Sequence, residues 1–566
     1  MLSRADALKA VSGEKFDVVV IGGGITGAGV ALDAASRGYS VALVERDDYA
    51  VGTSSRSSKM VHGGLRYLRN FDLGLVREAL IERQLLVHLA PHLVYPTPFL
   101  VPSLGEERKS RALGIGLNMY DVMSTTRVGR GRRDRNERQE RGERAEGTGE
   151  VEYWAPDRHR TIDSDEVIDL IPALATRKPS SAYLFYDCQT DDVRLVLTVL
   201  GEAERFGAVM VNGAEVTEVL TENGKAAGVR CKESESGSTF EVQATHVVNA
   251  TGVFADRVKG EEIQREEDVP RISPSRGTHV TVSQEDLAIG KAACVIPAGE
   301  ERTVFALPWY GRTLIGTTDN DYDGDVYHPN PAPEDIEYLL NATNKFFDLS
   351  LGLDDLTGAY AGVRPLISSS DPKKSVDISR RAELYETSSG MLTITGGKLT
   401  TWRRMAEQVV DRMVETEGRR APCRTTEIPL GMTARPEDFG QGEDLDEEVL
   451  DQLAFRYGHA ARNVLAAAAE NPDLAKPIVK GRPDLLAEVV IAARAEQARS
   501  VADVLLRRTR LGLLAAPELR TSKSVKRVAE VLGGELGWDG RRVEAEADAW
   551  VEAARTEGID PALALS

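Results

Sequence analysis

The stretch Asp17-Val18-Val19-Val20-Ile21-Gly22-Gly23-Gly24-Ile25-Thr26-Gly27 runs from β-branched residues through three glycines into a segment with helical spacing. A short apolar run without alternation is the pattern of a parallel strand buried on both faces. Ile25 to Ser36 keeps small and apolar residues at helical spacing, and Gly38 fits its C-terminal cap. Val41-Ala42-Leu43-Val44 reads as a second strand, ended by Glu45. Within such a unit G-x-G-x-x-G permits a tight turn and close approach of the backbone to a pyrophosphate. The helix N-terminus then offers unpaired N–H groups and a positive dipole end. A carboxylate about twenty residues on accepts hydrogen bonds from ribose hydroxyls. The prediction is a Rossmann-like α/β domain that holds a dinucleotide at Gly22, Gly24, Ile25, Thr26, Gly27, Glu45 and Arg46. The competing reading is a glycine turn that only allows close helix–sheet packing; the complete unit favours the dinucleotide.

Working outward, Gly52-Thr53-Ser54-Ser55-Arg56-Ser57-Ser58-Lys59 is a dense run of hydroxyl donors. Taken alone it is a polar turn that caps the next helix. Its place shortly after Glu45 points instead to the phosphates and ribityl chain of a flavin, through Thr53, Ser54, Ser55, Ser58 and Lys59. A second apolar strand at Val247-Val248 leads into Ala250-Thr251-Gly252, where the chain would return to the cofactor at Thr251 and Gly252.

The 566 residues exceed one hydrophobic core and call for two or three domains. A net charge of −19 argues against general affinity for nucleic acid, and makes clustered cations informative about an anionic ligand. Four scattered cysteines without a CxxC pair favour neither a zinc site nor an iron–sulfur cluster, so no metal is expected. The charged N-terminus lacks a signal-peptide core, and no run of about 18 uncharged apolar residues occurs. The expected location is the cytoplasm, with a peripheral contact at the inner face of the cytoplasmic membrane left open. Residues 127–150 turn abruptly to Arg, Glu and Gly and read as a solvated loop. Past Pro422 the composition shifts to helices rich in Ala, Leu, Glu and Arg, which read as a separate all-helical domain.

Further motifs follow in order: Ser57-Ser58-Lys59-Met60-Val61-His62-Gly63-Gly64-Leu65-Arg66-Tyr67-Leu68, Gly316-Thr317-Thr318-Asp319, Gly362-Val363-Arg364-Pro365-Leu366 and Gly396-Gly397-Lys398-Leu399-Thr400-Thr401-Trp402-Arg403. Together with the glycine turn they closely resemble the FAD-dependent glycerol-3-phosphate dehydrogenases, within a fold group that includes D-amino-acid and glycine oxidases. The resemblance spans about residues 15–415 and continues weakly at Leu506-Arg507-Arg508-Thr509-Arg510-Leu511-Gly512. It implies a discontinuous FAD domain from 15–80, 185–270 and 388–418. A β-sheet substrate domain would come from 81–184 and 271–387, and the helical domain from 425–566. It also implies that His62, Gly63, Gly64, Lys398, Leu399 and Thr400 touch the cofactor, and that electrons pass to a membrane quinone. The loop 127–150 departs from the family pattern. The cysteine-rich tail of the anaerobic branch is lacking, since no cysteine follows Cys423. A homodimer is compatible with the sequence, which does not fix it.

A doubly charged phosphate ester needs fixed cations; the motifs supply Arg66, Arg364 and Lys398, with Tyr67 as a phenolic donor, and the looser match Asp377-Ile378-Ser379-Arg380 adds Arg380. Arginine suits a phosphate because its planar fork donates two hydrogen bonds. His279, in Gly277-Thr278-His279-Val280, is the first candidate for general base, since imidazole titrates near working pH. His62 is the alternative, and Arg364 could also stabilise developing negative charge. The rival readings are an oxidase of the same substrate that makes hydrogen peroxide, an amino-acid oxidase, and a flavin-binding protein without activity.

Overall fold

The structure is a computed structural model that describes residues 2–65, 72–105, 111–125, 154, 156–258, 271–299, 302–368, 382–440 and 445–564. The expected residues Arg66, Tyr67 and Arg380 and the loop 127–150 lie outside these.

Two sheets organise the chain. The first is built from β1 (Lys15–Ile21), β2 (Val41–Val44), β7 (Val209–Val211), β10 (Thr239–Asn249), β17 (Ala382–Glu386) and β18 (Leu392–Gly396), in the order β17-β18-β10-β1-β2-β7. β1 runs parallel to both β2 and β10, and a hairpin of β8 (Ala214–Glu222) and β9 (Lys225–Glu233) extends from β10. Successive side chains of a strand point to opposite faces. Val18 and Val20 share a core with Leu32, Val196 and Trp402, whereas Val19 and Ile21 pack with Val44, Val211 and Val242. Covering both faces explains why β1 reads as an unbroken apolar run.

The second sheet is mostly antiparallel. It comprises β3 (Met60–Val61), β4 (Val94–Leu104), β5 (Arg160–Asp163), β6 (Pro179–Thr190), β11 (Arg271–Ser283), β12 (Ala293–Pro297), β13 (Thr303–Trp309), β14 (Arg312–Gly316), β15 (Asn320–Asp321) and β16 (Leu356–Ser368). β11 pairs with β14 on one side and β16 on the other. Val280 and Val282 of β11 face a core shared with Ile336, Leu339 and Phe347 of the helix Pro333–Phe347. By alternation, Ser275, Gly277 and His279 lie on the opposite face, which looks towards the first sheet.

The two sheets correct three expected boundaries. β6 belongs wholly to the second sheet and continues to Thr190, because nothing breaks the strand between Leu184 and Phe185. Met60 and Val61, expected with the cofactor segment, pair with Gln189 and Cys188 of β6. Ala382–Glu386, expected with the substrate segment, pairs with β18 in the first sheet.

Beyond residue 425 the described residues contribute no strand to either sheet. Helices such as Leu486–Glu496, Ser522–Leu536 and Gly540–Thr556 pack Leu486, Val528 and Trp550 into a core shared with Trp309, Leu314 and Tyr360 of the second sheet. Among the described residues no helix is long and apolar enough to cross a membrane.

Candidate active site

The glycine turn after β1 opens the cleft between the sheets. Gly22 has φ +108°, in the region that favours glycine, and a Cβ there would lie 2.9 Å from the Ala250 carbonyl oxygen. That contact closes the turn against the end of β10. The helix Ile25–Ser36 starts without a side-chain cap at Gly24, so its first-turn N–H groups point at the cleft with the positive dipole end. One of them, on Ile25, donates to Ser54 Oγ at 3.0 Å, which brings the hydroxyl-rich loop over the turn. Glu45 Oε2 accepts from Gly23 N–H at 2.7 Å and Oε1 accepts from Asp47 N–H at 2.9 Å. Burial pushes the Glu45 carboxyl up to about 7.

Thr53 Oγ1 donates to the Val363 carbonyl at 2.6 Å and ties the loop to β16. The cleft that results has a volume of about 650 Å³. Gly22, Gly24, Ile25, Thr26, Glu45, Arg46, Thr53 and Ser54 line one part of it. Thr251 and Gly252 adjoin the glycine turn, and Ser58, His62, Lys398, Leu399 and Thr400 also line the cleft, with His279 and Arg364 on the facing sheet. Lys398 comes two residues after the end of β18, and Thr400 Oγ1 accepts from His62 N–H at 3.1 Å, so the two glycine-rich motifs meet.

Five expected cofactor residues do not line this cleft. The Lys59 ammonium points into the protein, where it donates to Asp192 Oδ2 at 2.8 Å and the Ser55 carbonyl at 2.6 Å. The left-handed backbone of Lys59, φ +58°, together with the buried Asp192 carboxylate, turns it inwards. Ser55 Oγ is spent on the Val51 and Gly52 carbonyls. Gly27 lies under Gly22, so its contribution is the turn itself. The Gly63 N–H donates to Tyr120 Oη at 2.9 Å, and neither Gly63 nor Gly64 reaches the cleft wall.

The facing sheet sets the chemistry by its register. His279 on β11 stands opposite Gly316 on β14 and Tyr360 on β16. Its ring stacks on Tyr360 with centroids 4.7 Å apart and planes 8° from parallel. Ser58 Oγ lies 2.8 Å from His279 Nε2, so the imidazole is oriented from the cofactor loop. Burial first, then the Lys59 and Arg364 cations, hold its pKa well below 6.5, which keeps the ring neutral and able to accept a proton.

Arg364 stands opposite Ser275 on β11. Its guanidinium donates to Asp319 Oδ1 at 3.1 Å, and to Thr317 Oγ1 and the Thr318 carbonyl, both at 3.2 Å. Gly277 makes room for it, because a Cβ there would lie 2.5 Å from Arg364 Nη2. Asp319 and Thr317 orient this cation and were missed as site residues, although their motif was visible. Phe254 and Tyr327 were also missed. They stack at 4.5 Å beside Arg46, whose guanidinium lies 3.9 Å from the Tyr327 ring centre. No sequence spacing connects those positions.

The donor set fits FAD. The glycine cradle and helix end suit a pyrophosphate, Glu45 a ribose, and the cleft continues to a histidine and two cationic side chains. Among the described residues no group of three or more His, Cys, Asp or Glu could hold a metal ion.

Comparison with known proteins agrees. Residues 17–403 match the FAD-dependent oxidoreductase family, and residues 391–543 match the C-terminal domain of alpha-glycerophosphate oxidase. Glycerol-3-phosphate dehydrogenase 2 of Mycobacterium tuberculosis is 37% identical over 96% of this chain and 88% of its own length. The aerobic glycerol-3-phosphate dehydrogenase of Bacillus subtilis is 32% identical over 95% of this chain and 94% of its own. The glycerol-3-phosphate dehydrogenase of Bacillus halodurans, solved with FAD, superposes with a TM-score of 0.75 at 27% identity, covering 98% of each chain. The chain therefore belongs to the FAD-dependent glycerol-3-phosphate dehydrogenase family.

Proposed function

We propose that this protein oxidises sn-glycerol 3-phosphate at C2 to dihydroxyacetone phosphate. The observation that carries the reading is the common face of β11 and β16, which puts a neutral imidazole and an oriented guanidinium into the cleft that begins at the dinucleotide cradle. FAD, when bound in this cleft, would supply the two-electron acceptor for the hydride leaving C2. His279 receives the hydroxyl proton through the Ser58 hydroxyl, which lies 2.8 Å from its Nε2, and the Tyr360 ring holds the imidazole in place. Arg364 and Lys398 hold the phosphate, with Asp319 fixing the angle of the Arg364 fork. His62 is the alternative base.

The electron acceptor in this reading is a quinone, in keeping with the relatives named as dehydrogenases. The protein works as a peripheral membrane protein at the cytoplasmic face. Ile115 and Val122, 63% and 60% exposed and seven residues apart on the helix Arg111–Thr125, support such a contact. The reading keeps the three-part cofactor domain, the sheet-based substrate domain and the helical domain, with the boundaries moved to the sheets.

An anaerobic titration with glycerol, glycerol 3-phosphate and other phosphorylated polyols tests it. Glycerol 3-phosphate should bleach the flavin absorbance at the lowest concentration; no bleaching, or equal bleaching by glycerol, overturns the assignment. Oxygen uptake without added quinone would identify an oxidase instead.

A further inference from the structure

The segment Leu506-Arg507-Arg508-Thr509-Arg510 belongs to the helical tail, yet its guanidinium groups are buried against the cofactor loop. Arg508 forms a two-pronged contact with Asp48, Nη1 to Oδ2 at 2.9 Å and Nη2 to Oδ1 at 2.8 Å. Arg507 Nε adds a third hydrogen bond to Asp48 at 2.5 Å. Arg510 Nη2 donates to Asp192 Oδ1 at 2.7 Å and to the Ser55 carbonyl at 3.2 Å. The same carbonyl accepts from Lys59, itself paired with Asp192. Between these anchors Tyr49 Oη donates to Gln497 Oε1 of the tail at 2.9 Å.

The loop so held is the one that makes the cradle. Asp48 lies three residues after Glu45, and Ala50 N–H donates to the Gly23 carbonyl at 3.0 Å inside the glycine turn. Ala50 and Lys59 both have left-handed backbones, at φ +63° and +58°. Non-glycine residues keep that conformation only where the surroundings impose it.

We infer that Arg508 and Arg510 are positioning residues for FAD: the helical tail braces the loop 45–59, with Arg507 lining the cleft itself, so that binding of the cofactor and docking of the tail are thermodynamically linked. Arg508 is fully buried and does not line the cleft, and its contact to the cofactor loop runs through Asp48. The inference rests on the FAD assignment of the cleft.

Arg508→Lys keeps the charge but loses the planar fork. The test compares full-length wild type and variant by far-ultraviolet circular dichroism. It also compares the FAD dissociation constant, read from flavin fluorescence on dilution, and the rise in thermal midpoint on adding FAD. A brace predicts unchanged dichroism, a dissociation constant raised threefold or more, and a smaller FAD-induced rise. A change below threefold with the full FAD-induced rise overturns the inference, even if the midpoint itself falls, because that is the mark of a purely structural contact. Should Arg508→Lys not fold, Tyr49→Phe removes only the hydroxyl contact to Gln497, and the same threshold decides. Failure of the wild type to take up FAD would instead overturn the cofactor assignment.

Discussion

Gly316 and His279 face each other across β14 and β11, and a Cβ on Gly316 would lie 2.1 Å from His279 Cδ2. Gly316→Ala must push the imidazole away from Ser58. The expected outcome is a kcat lowered roughly a hundredfold with FAD retained, since displacing a reacting group by an ångström can cost that much. Stopped-flow flavin reduction and the visible spectrum check both halves.

His279 is held neutral by burial and by the neighbouring Lys59 and Arg364 cations, so its pKa lies well below 6.5. The profile of kcat/KM between about pH 6 and 8 should therefore carry no acid limb from this group. His279→Asn should lower kcat by about a hundredfold or more. A wild-type acid limb near 6.5 that disappears in His279→Asn would contradict the neutral-base assignment.

Arg364 is aimed by Asp319. Losing a charge-assisted contact typically costs about 1.5–3 kcal/mol. Arg364→Ala should raise KM for glycerol 3-phosphate roughly 10- to 100-fold and leave FAD bound. Asp319→Asn should show a smaller shift in the same direction. Steady-state kinetics on FAD-loaded protein decide it, and wild-type KM in Arg364→Ala refutes the phosphate assignment.

Glu45 has its pKa raised from the usual 4.5 to about 7 by burial. Between those values the folded FAD-free protein binds more protons than the unfolded chain, so this group makes stability fall as pH rises from about 4.5 to about 7, with no further loss above. Urea midpoints of the FAD-free protein should show that slope, and Glu45→Gln should flatten it.

The thiols should be inert. Burial pushes Cys188 and Cys231 up to about 12, and Cys294 higher, while Cys423 is half-buried with a raised pKa. Iodoacetamide at neutral pH should leave activity unchanged, as measured by residual turnover.

The cradle was legible because its signals are local: an apolar run, three glycines and an acid at fixed distance, all set by strand and helix geometry. His279 and Arg364 were legible only through their motifs, since their partnership depends on β11 and β16 coming into register from distant parts of the sequence. Lys59 was misread because composition does not say which way a side chain turns, and a buried Asp192 from another segment decided it. The Arg508–Asp48 contact joins positions 460 residues apart and leaves no periodic trace.

The interleaving of the two sheets also bears on how the protein is made. β1 and β2 leave the ribosome early, but β10, the other neighbour of β1, begins only at Thr239, and β18 only at Leu392. For most of translation the nucleotide-binding sheet has an open apolar edge, which is vulnerable to pairing with other chains. Chaperone cover over that interval, rather than intrinsic folding speed, should govern the soluble yield of this protein in a recombinant host.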